Sequence, residues 1–410
     1  MNETDIAGIV DWTTRRGLAG DDEISLLQGF CRRCVDAGLD MSTGTAIIDT
    51  LHPVYGGRVF HWSRDNPDDA RVTEYLPTAA SGNEESWRQS PFYYLLQSGE
   101  DELRRRLELG ETGGFPILDE LVLSGETDYF ALVHRFDKGT TIGEMDCFLS
   151  RWTTARPGGF ADADIAALRR LVPTLGLAVK SASLARIAQS LVEAYLGRDP
   201  GRRVLEGRMS RGAVERLNAV IWFSDMQGYT SLSERIASDE LIPLLNDYSE
   251  VAIMAVHSAG GDVLKLMADG VLAIFTAEDP AEACMAALRA EAGMRLKLAK
   301  VNERRLAAGQ PVSSLYLGLN IGDVFYGNVG SKDRLDFTVV GQAVNEASRI
   351  ASMCRSADRE VLFSSAFRES LPEGDRPRLV SVGRYALRGV GRAQELFTLD
   401  SGMPRELPPP

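Results

Sequence analysis

Histidine is scarce, with four in 410 residues, so a mechanism without a dedicated imidazole suits the composition. The five cysteines are odd in number and make no disulfide framework; they fit a reducing compartment. Basic charge is in deficit, with 45 Lys and Arg against 58 Asp and Glu, a net charge of −13. That balance argues against nucleic acid and against an anionic membrane surface as partners. No hydrophobic run approaches transmembrane length, and the start, MNETDIAGIVDW, is acidic rather than signal-like. A cytoplasmic protein is expected. Internal repeats and low-complexity segments are also missing.

What remains is ordinary for a soluble globular chain: 44% hydrophobic and 25% charged residues. A chain of this length defaults to two domains. Its densest chemistry lies between Leu217 and Arg349, in three segments. LNAVIWFSDMQGYT (Leu217–Thr230) is an apolar run that stops at Asp225. GGDVLKLMADGVLAIF (Gly260–Phe275) reads as two short strands, Asp262–Met267 and Val271–Phe275, joined across Ala268-Asp269-Gly270. RLDFTVVGQAVNEASRI (Arg334–Ile350) reads as a strand leading through Gly341 into a helix.

If the first strand lies beside the hairpin, Asp225 and Asp269 project at one end of the sheet. Two carboxylates there suit Mg²⁺ or Mn²⁺, with phosphate oxygens completing the shell. The loop Met226-Gln227-Gly228-Tyr229-Thr230 opens a helix, and its backbone N–H groups suit a polyphosphate. Asn345 and Arg349 are four apart and share a helix face. An Arg beside a neutral donor suits charge developing on a transferring phosphoryl group.

These segments resemble the catalytic domain of class III nucleotide cyclases, the adenylate and guanylate cyclases. Leu315–Arg334 and Gly383–Leu399 extend the likeness, which covers roughly residues 211–400. The resemblance implies an α+β, ferredoxin-like fold, a mostly antiparallel sheet with helices packed on it. It implies an adenylate cyclase that converts ATP to 3′,5′-cyclic AMP and pyrophosphate, with two Mg²⁺ or Mn²⁺ ions per site. The metal set is then Asp225, Met226 and Asp269. Lys265 and Thr338 read the base, Lys265 indicating adenine where guanylate cyclases usually carry Glu. Gly228, Tyr229, Thr230 and Arg388 contact the phosphates, Arg388 standing where many members have Lys. Asn345 orients the ribose and Arg349 stabilises the α-phosphate as the ribose 3′-hydroxyl attacks it in line. The family builds its site between two catalytic domains, so a homodimer is implied. Ala268 stands where the family usually has Gly; a type I turn accepts Ala, whereas a turn needing positive φ is strained by it.

Residues 1–179 read as a first domain, 180–210 as a helical linker, 211–400 as the catalytic domain and 401–410 as a flexible tail. In the first domain, Asp22–Gly38 is an amphipathic helix with Ile24, Leu27, Phe30, Cys31, Cys34 and Val35 on one stripe. Strands are expected at Thr43–Thr50, Gly57–Ser63, Arg71–Leu76, Asp128–Phe136 and Asp146–Thr154, with a polar loop over Ala79–Arg88 and another containing Lys138-Gly139-Thr140. Helices are expected at Asp101–Glu108, Pro116–Ser124 and Phe160–Leu196, the last kinked or restarted at Pro173. This order resembles a GAF or PAS sensor domain, an α/β fold, and names no ligand. Leu184, Ile187, Leu191 and Tyr195 have the spacing of a helix-dimer seam, or of a helix packed on its own domain. An arginine-rich turn, Tyr195–Glu215, follows.

Cys31 and Cys34 have two readings. They are core residues on an apolar stripe, or a redox or metal sensor completed by Cys147 or one of His52, His61 and His134. The effector of the first domain, whether small molecule, metal or redox signal, is open. Two other functions remain open: a guanylate or relaxed-specificity cyclase, and a non-catalytic nucleotide sensor.

Overall fold

The computed structural model describes residues 1–76, 84–137, 139, 141–388 and 391–402. Residues 79–83 of the expected polar loop, residues Lys138 and Thr140, and most of the tail lie outside the described residues; the rest of that loop, 84–88, is helical. The chain forms two compact units, Met1–Leu191 and Val192–Pro410.

The first unit opens with α1 (Glu3–Ala19), where Asn2 and Asp5 form a reciprocal capping box. No helix is expected there from the sequence. Asp22 caps α2 (Glu23–Asp36) through its side chain. The strands β1 (Thr43–Asp49), β2 (Gly57–Ser63), β3 (Arg71–Tyr75), β4 (Glu102–Arg106), β5 (Asp128–Arg135) and β6 (Cys147–Thr154) form one sheet in the order β3-β2-β1-β6-β5-β4. Every neighbouring pair is antiparallel. Period-2 alternation divides its faces. Ala46 and Ile48 join Phe30, Leu168 and Leu175 in one core. Ile47 and Leu149 join Phe92 and Leu95 of α4 (Pro91–Ser98), and Leu118 of α5 (Pro116–Leu123), in another. The short α3 (Glu84–Arg88) precedes α4.

The helix expected over Asp101–Glu108 is instead β4 followed by a single 3₁₀ turn, Leu107–Leu109. Its Glu, Leu and Arg residues favour a helix locally, but tertiary pairing overrides that preference. Asp128 is fully buried on β5, and Arg104 of β4 reaches it at 2.7 Å. Removing that partner would leave a buried charge uncompensated.

Helix α6 runs unbroken from Asp162 to Leu196 with Pro173 inside it, so the expected restart does not occur. By length and composition alone it could cross a membrane, contrary to the expectation that no segment reaches that length. Its Ile165, Leu168, Leu171, Val172, Leu175 and Val179 lie in the core of the first unit. Ile187 is buried there too, with Leu184 and Leu191 packed against it, while Tyr195 is 85% exposed. Three of the four spaced residues thus pack on their own unit.

In the second unit, α7 (Arg198–Leu205) precedes β7 (Val214–Met226). Then come α8 (Tyr229–Ser233), α9 (Ser238–Ser258), β8 (Asp262–Met267), β9 (Gly270–Phe275), α10 (Pro280–Ala307), β10 (Leu315–Gly330), β11 (Leu335–Val340) and α11 (Gln342–Ala357). The unit ends with β12 (Val361–Ser364), α12 (Ser365–Ser370), β13 (Leu379–Tyr385) and β14 (Gln394–Leu399). The sheet order is β13-β14-β12-β10-β7-β9-β8, with β11 paired to β10. Among the described residues only the β10–β12 pair of this sheet is parallel.

Val220 and Trp222 of β7 face the core shared with α9 and α10, whereas Ala219 and Ile221 face α11 through Ala343 and Ala347. Gly318 lets α11 approach β10: a Cβ there would stand 2.4 Å from Ala351 N and 2.5 Å from Ala347 O.

Candidate active site

β7 and β9 bring two carboxylates together. Asp225 pairs in register with Gly270, and the Met226 N–H donates to the Asp269 carbonyl at 2.9 Å. Gly270 has no room for a side chain, since a Cβ would lie 2.3 Å from the Ser224 carbonyl. Among the described residues outside glycine, only Asp358 has positive φ, so Ala268 fits its turn without strain. Burial, and then the Asp269 charge, push the Asp225 pKa up to about 6. Among the described residues no basic side chain ion-pairs with either carboxylate. Two adjacent, uncompensated carboxylates fit a divalent cation. Among the described residues no group of three or more His, Cys, Asp or Glu gathers anywhere to hold a metal ion. The protein therefore offers Asp225 and Asp269, beside the backbone of Met226, and leaves the rest of a shell to oxygen ligands from outside.

Lys265 reaches its position through a β-bulge. Val263 pairs with Ala273 and Lys265 pairs with Leu272, so Leu264 is the extra residue. Strict alternation puts Lys265 on the side of Val263, as expected from the sequence. The bulge moves it to the other side. Val263 and Ala273 belong to the core under α9 and α10, while Leu272 belongs to the core under α11. Lys265 is half exposed there and ion-pairs with Asp336 of β11. Asp336 was not singled out in the sequence. Its only local signal is its place two residues before Thr338, which is half-buried on the same strand.

Asn345 and Arg349 lie on α11, Asn345 exposed and Arg349 partly so. Gly341 is the N-cap, which leaves Asn345 inside the helix and free of a capping role. Gly228, at φ 71°, begins α8. Tyr229 packs against the core and Thr230 is exposed. The Gln227 N–H donates to Ser314 O at 2.9 Å and the Ser313 hydroxyl donates to Gln227 O at 2.7 Å, which fixes the start of this loop. Arg388 is exposed in a turn after β13.

The described side chains thus fall into separate groups. Asp225 contacts Asp269, and Lys265 contacts Asp336. Among the described residues no hydrogen bond or ion pair joins Asp225 or Asp269 to Lys265, Asn345 or Arg349.

Residues 213–401 match the family described as the Adenylate and Guanylate cyclase catalytic domain. This segment is a class III cyclase catalytic domain. It is similar to an adenylate cyclase of Anabaena cylindrica, 35% identical over 175 residues, covering 41% of this chain and 34% of that one. The chain spans about a third of the length of the curated relatives it matches. Among solved structures it is similar to the adenylyl cyclase CyaB from P. aeruginosa, with 25% identity, 48% of this chain, 99% of that chain and a TM-score of 0.43. It is also similar to the guanylyl cyclase Cya2, with 27% identity, 45% of this chain, 93% of that chain and a TM-score of 0.41.

Outside the cyclase domain, Cys31 and Cys34 are fully buried in the first core. Desolvation raises both thiol pKa values, Cys31 further through Cys34, which disfavours the thiolate a sensor would use. Neither forms part of a metal-binding cluster among the described residues.

Proposed function

We propose that the chain is an adenylate cyclase acting as a homodimer, regulated by its first unit. One observation carries this reading: a single copy leaves the carboxylate pair unpaired and apart from Lys265, Asn345 and Arg349. Apposing two copies lets Asp225 and Asp269 of one face Lys265, Thr338, Asn345 and Arg349 of the other. Exposed Leu266, Phe325 and Val340 on β8, β10 and β11 offer apolar surface for such a contact.

Mg²⁺ or Mn²⁺ at Asp225 and Asp269 would supply charge to bind the triphosphate and lower the pKa of the ribose 3′-hydroxyl. Asn345 holds the ribose, and the Arg349 guanidinium stabilises charge at the α-phosphate. Arg388 and the loop from Gly228 to Thr230 bind the outer phosphates. Lys265 is a pure donor and meets the N1 acceptor of adenine, where guanine carries N–H. Thr338 offers its hydroxyl to the exocyclic amine. The test is turnover of ATP against GTP by the purified protein with Mn²⁺. Cyclic AMP as the main product supports the reading, and preferred cyclic GMP formation opposes it.

The first unit is read as a GAF- or PAS-like sensor because six antiparallel strands carry helices on both faces and end in a long exit helix. Deleting residues 1–200 should change specific activity. Unchanged activity in a still-dimeric truncation would remove the regulatory role.

A further inference from the structure

The six-stranded sheet carries a row of basic groups for which the cyclase reading has no use. Register sets Arg151 of β6 opposite Thr45 of β1, Thr45 opposite His61 of β2, and His61 opposite Arg71 of β3. Directly opposed residues share a face. On the β5 side Arg151 faces Ala131, which is fully buried. Arg151 Nε donates to Thr45 Oγ1 at 3.3 Å, and the same oxygen lies 3.0 Å from His61 Nδ1. Thr45 is 2% exposed, and Arg151 and His61 are half-buried.

Among the described residues neither Arg151 nor His61 has an ion-pair partner, and Arg71 has only the exposed Asp69. Burial, and then Arg151 and Arg71, hold the His61 pKa below its ordinary value. The rows on either side are of opposite character. Thr43 and Thr153 lie on one side, their hydroxyls 2.7 Å apart. Ile47 and Leu149 lie on the other, in the apolar cluster beneath α4 and α5. The face therefore combines an unneutralised, half-buried guanidinium with a hydroxyl edge and an apolar edge. A charge-assisted bond from a bound anion would relieve the uncompensated positive field.

We propose that this row binds a small organic anion, its carboxylate or phosphate head on Arg151 and His61. Such binding is independent of nucleotide turnover, and its failure would leave the cyclase reading untouched. The test is calorimetric titration of the full chain, without divalent metal, using hexanoate, inorganic phosphate and uncharged hexanol. Saturable binding of either anion, absent for hexanol, is expected. Arg151→Met should weaken it at least tenfold and His61→Gln severalfold, whereas Arg349→Ala should leave it unchanged. Stronger hexanoate binding identifies a carboxylate head, and stronger phosphate binding a phosphate ester. Should Arg151→Met not fold, Arg151→Lys with His61→Gln carries the same expected loss. No saturable binding of either anion to the wild type overturns the proposal. So does equal affinity in the Arg151 and His61 variants.

Discussion

Lys265 of β8 is ion-paired to Asp336 of β11. The bulge at Leu264 makes this possible by turning Lys265 away from the core under α9 and α10. Asp336 thereby holds the ammonium group that the proposed function assigns to the base. Asp336→Asn should raise the KM for ATP and narrow the preference for ATP over GTP by about tenfold, roughly 1.4 kcal/mol. The kcat should change less, and Asp336→Glu should recover most of the preference. Steady-state kinetics with both nucleotides checks this. Stability should fall by less than about 1 kcal/mol, because the pair is half exposed.

Asp225 and Asp269 should make the metal-free protein less stable than it could be. The folded pKa of Asp225, about 6, lies above the ordinary carboxylate value of about 3.9. Such a group contributes stability below about pH 4, and that contribution is lost as pH rises through about 6. Asp225→Asn should therefore raise the metal-free melting temperature at pH 7.5 and not at pH 4, while abolishing cyclic AMP formation. Thermal unfolding at the two pH values, with and without Mn²⁺, checks this. Mn²⁺ should stabilise the wild type more at pH 7.5 than at pH 5.

Much of the cyclase domain is legible in the sequence because its signals are local. Strand, turn and polar residue follow one another in Leu217–Thr230 and Gly260–Phe275; β8 has the expected bounds, β9 starts one residue earlier, and β7 extends back to Val214. What escapes depends on partners distant in sequence. The bulge at Leu264 exists only against β9, and the role of Asp336 only against Lys265. β4 escapes for the same reason: Glu102–Arg106 is made of helix formers, and its strand comes from pairing with β5 and from Asp128. The helix α1 is missed, although Asn2 and Asp5 have the capping-box spacing, with Asp in place of Glu.

Glu23 should be a strong determinant of stability in the first unit. Its buried carboxylate binds Arg186 at 2.8 Å and accepts from the Ser183 hydroxyl at 3.2 Å, tying α2 to α6. Burial opposes its ionised form, but Arg186 and Arg58 outweigh this and hold the pKa below its ordinary value. Its contribution is thus present at neutral pH and lost as pH falls through the carboxylate range. Glu23→Ala should destabilise the unit by about 3 kcal/mol, leaving Arg186 without its partner. Urea unfolding at pH 7 checks the magnitude.

Gly318→Ala should disturb the site from a distance. The added methyl meets backbone atoms of Ala347 and Ala351, which cannot move without α11. A loss of about 2 kcal/mol or more is expected, with kcat falling as Asn345 and Arg349 shift. Unfolding and turnover measured together on this variant separate the two effects.

The central claim is that one chain lends its carboxylates to the Asn345 and Arg349 of another. Mixing inactive Asp225→Ala with inactive Arg349→Ala tests it directly, with cyclic AMP from Mn·ATP as the readout. Random pairing makes half of the dimers mixed, each with one intact site of two. Activity should therefore return to roughly a quarter of the wild-type value. No recovery from two folded variants that demonstrably exchange subunits would contradict the composite site.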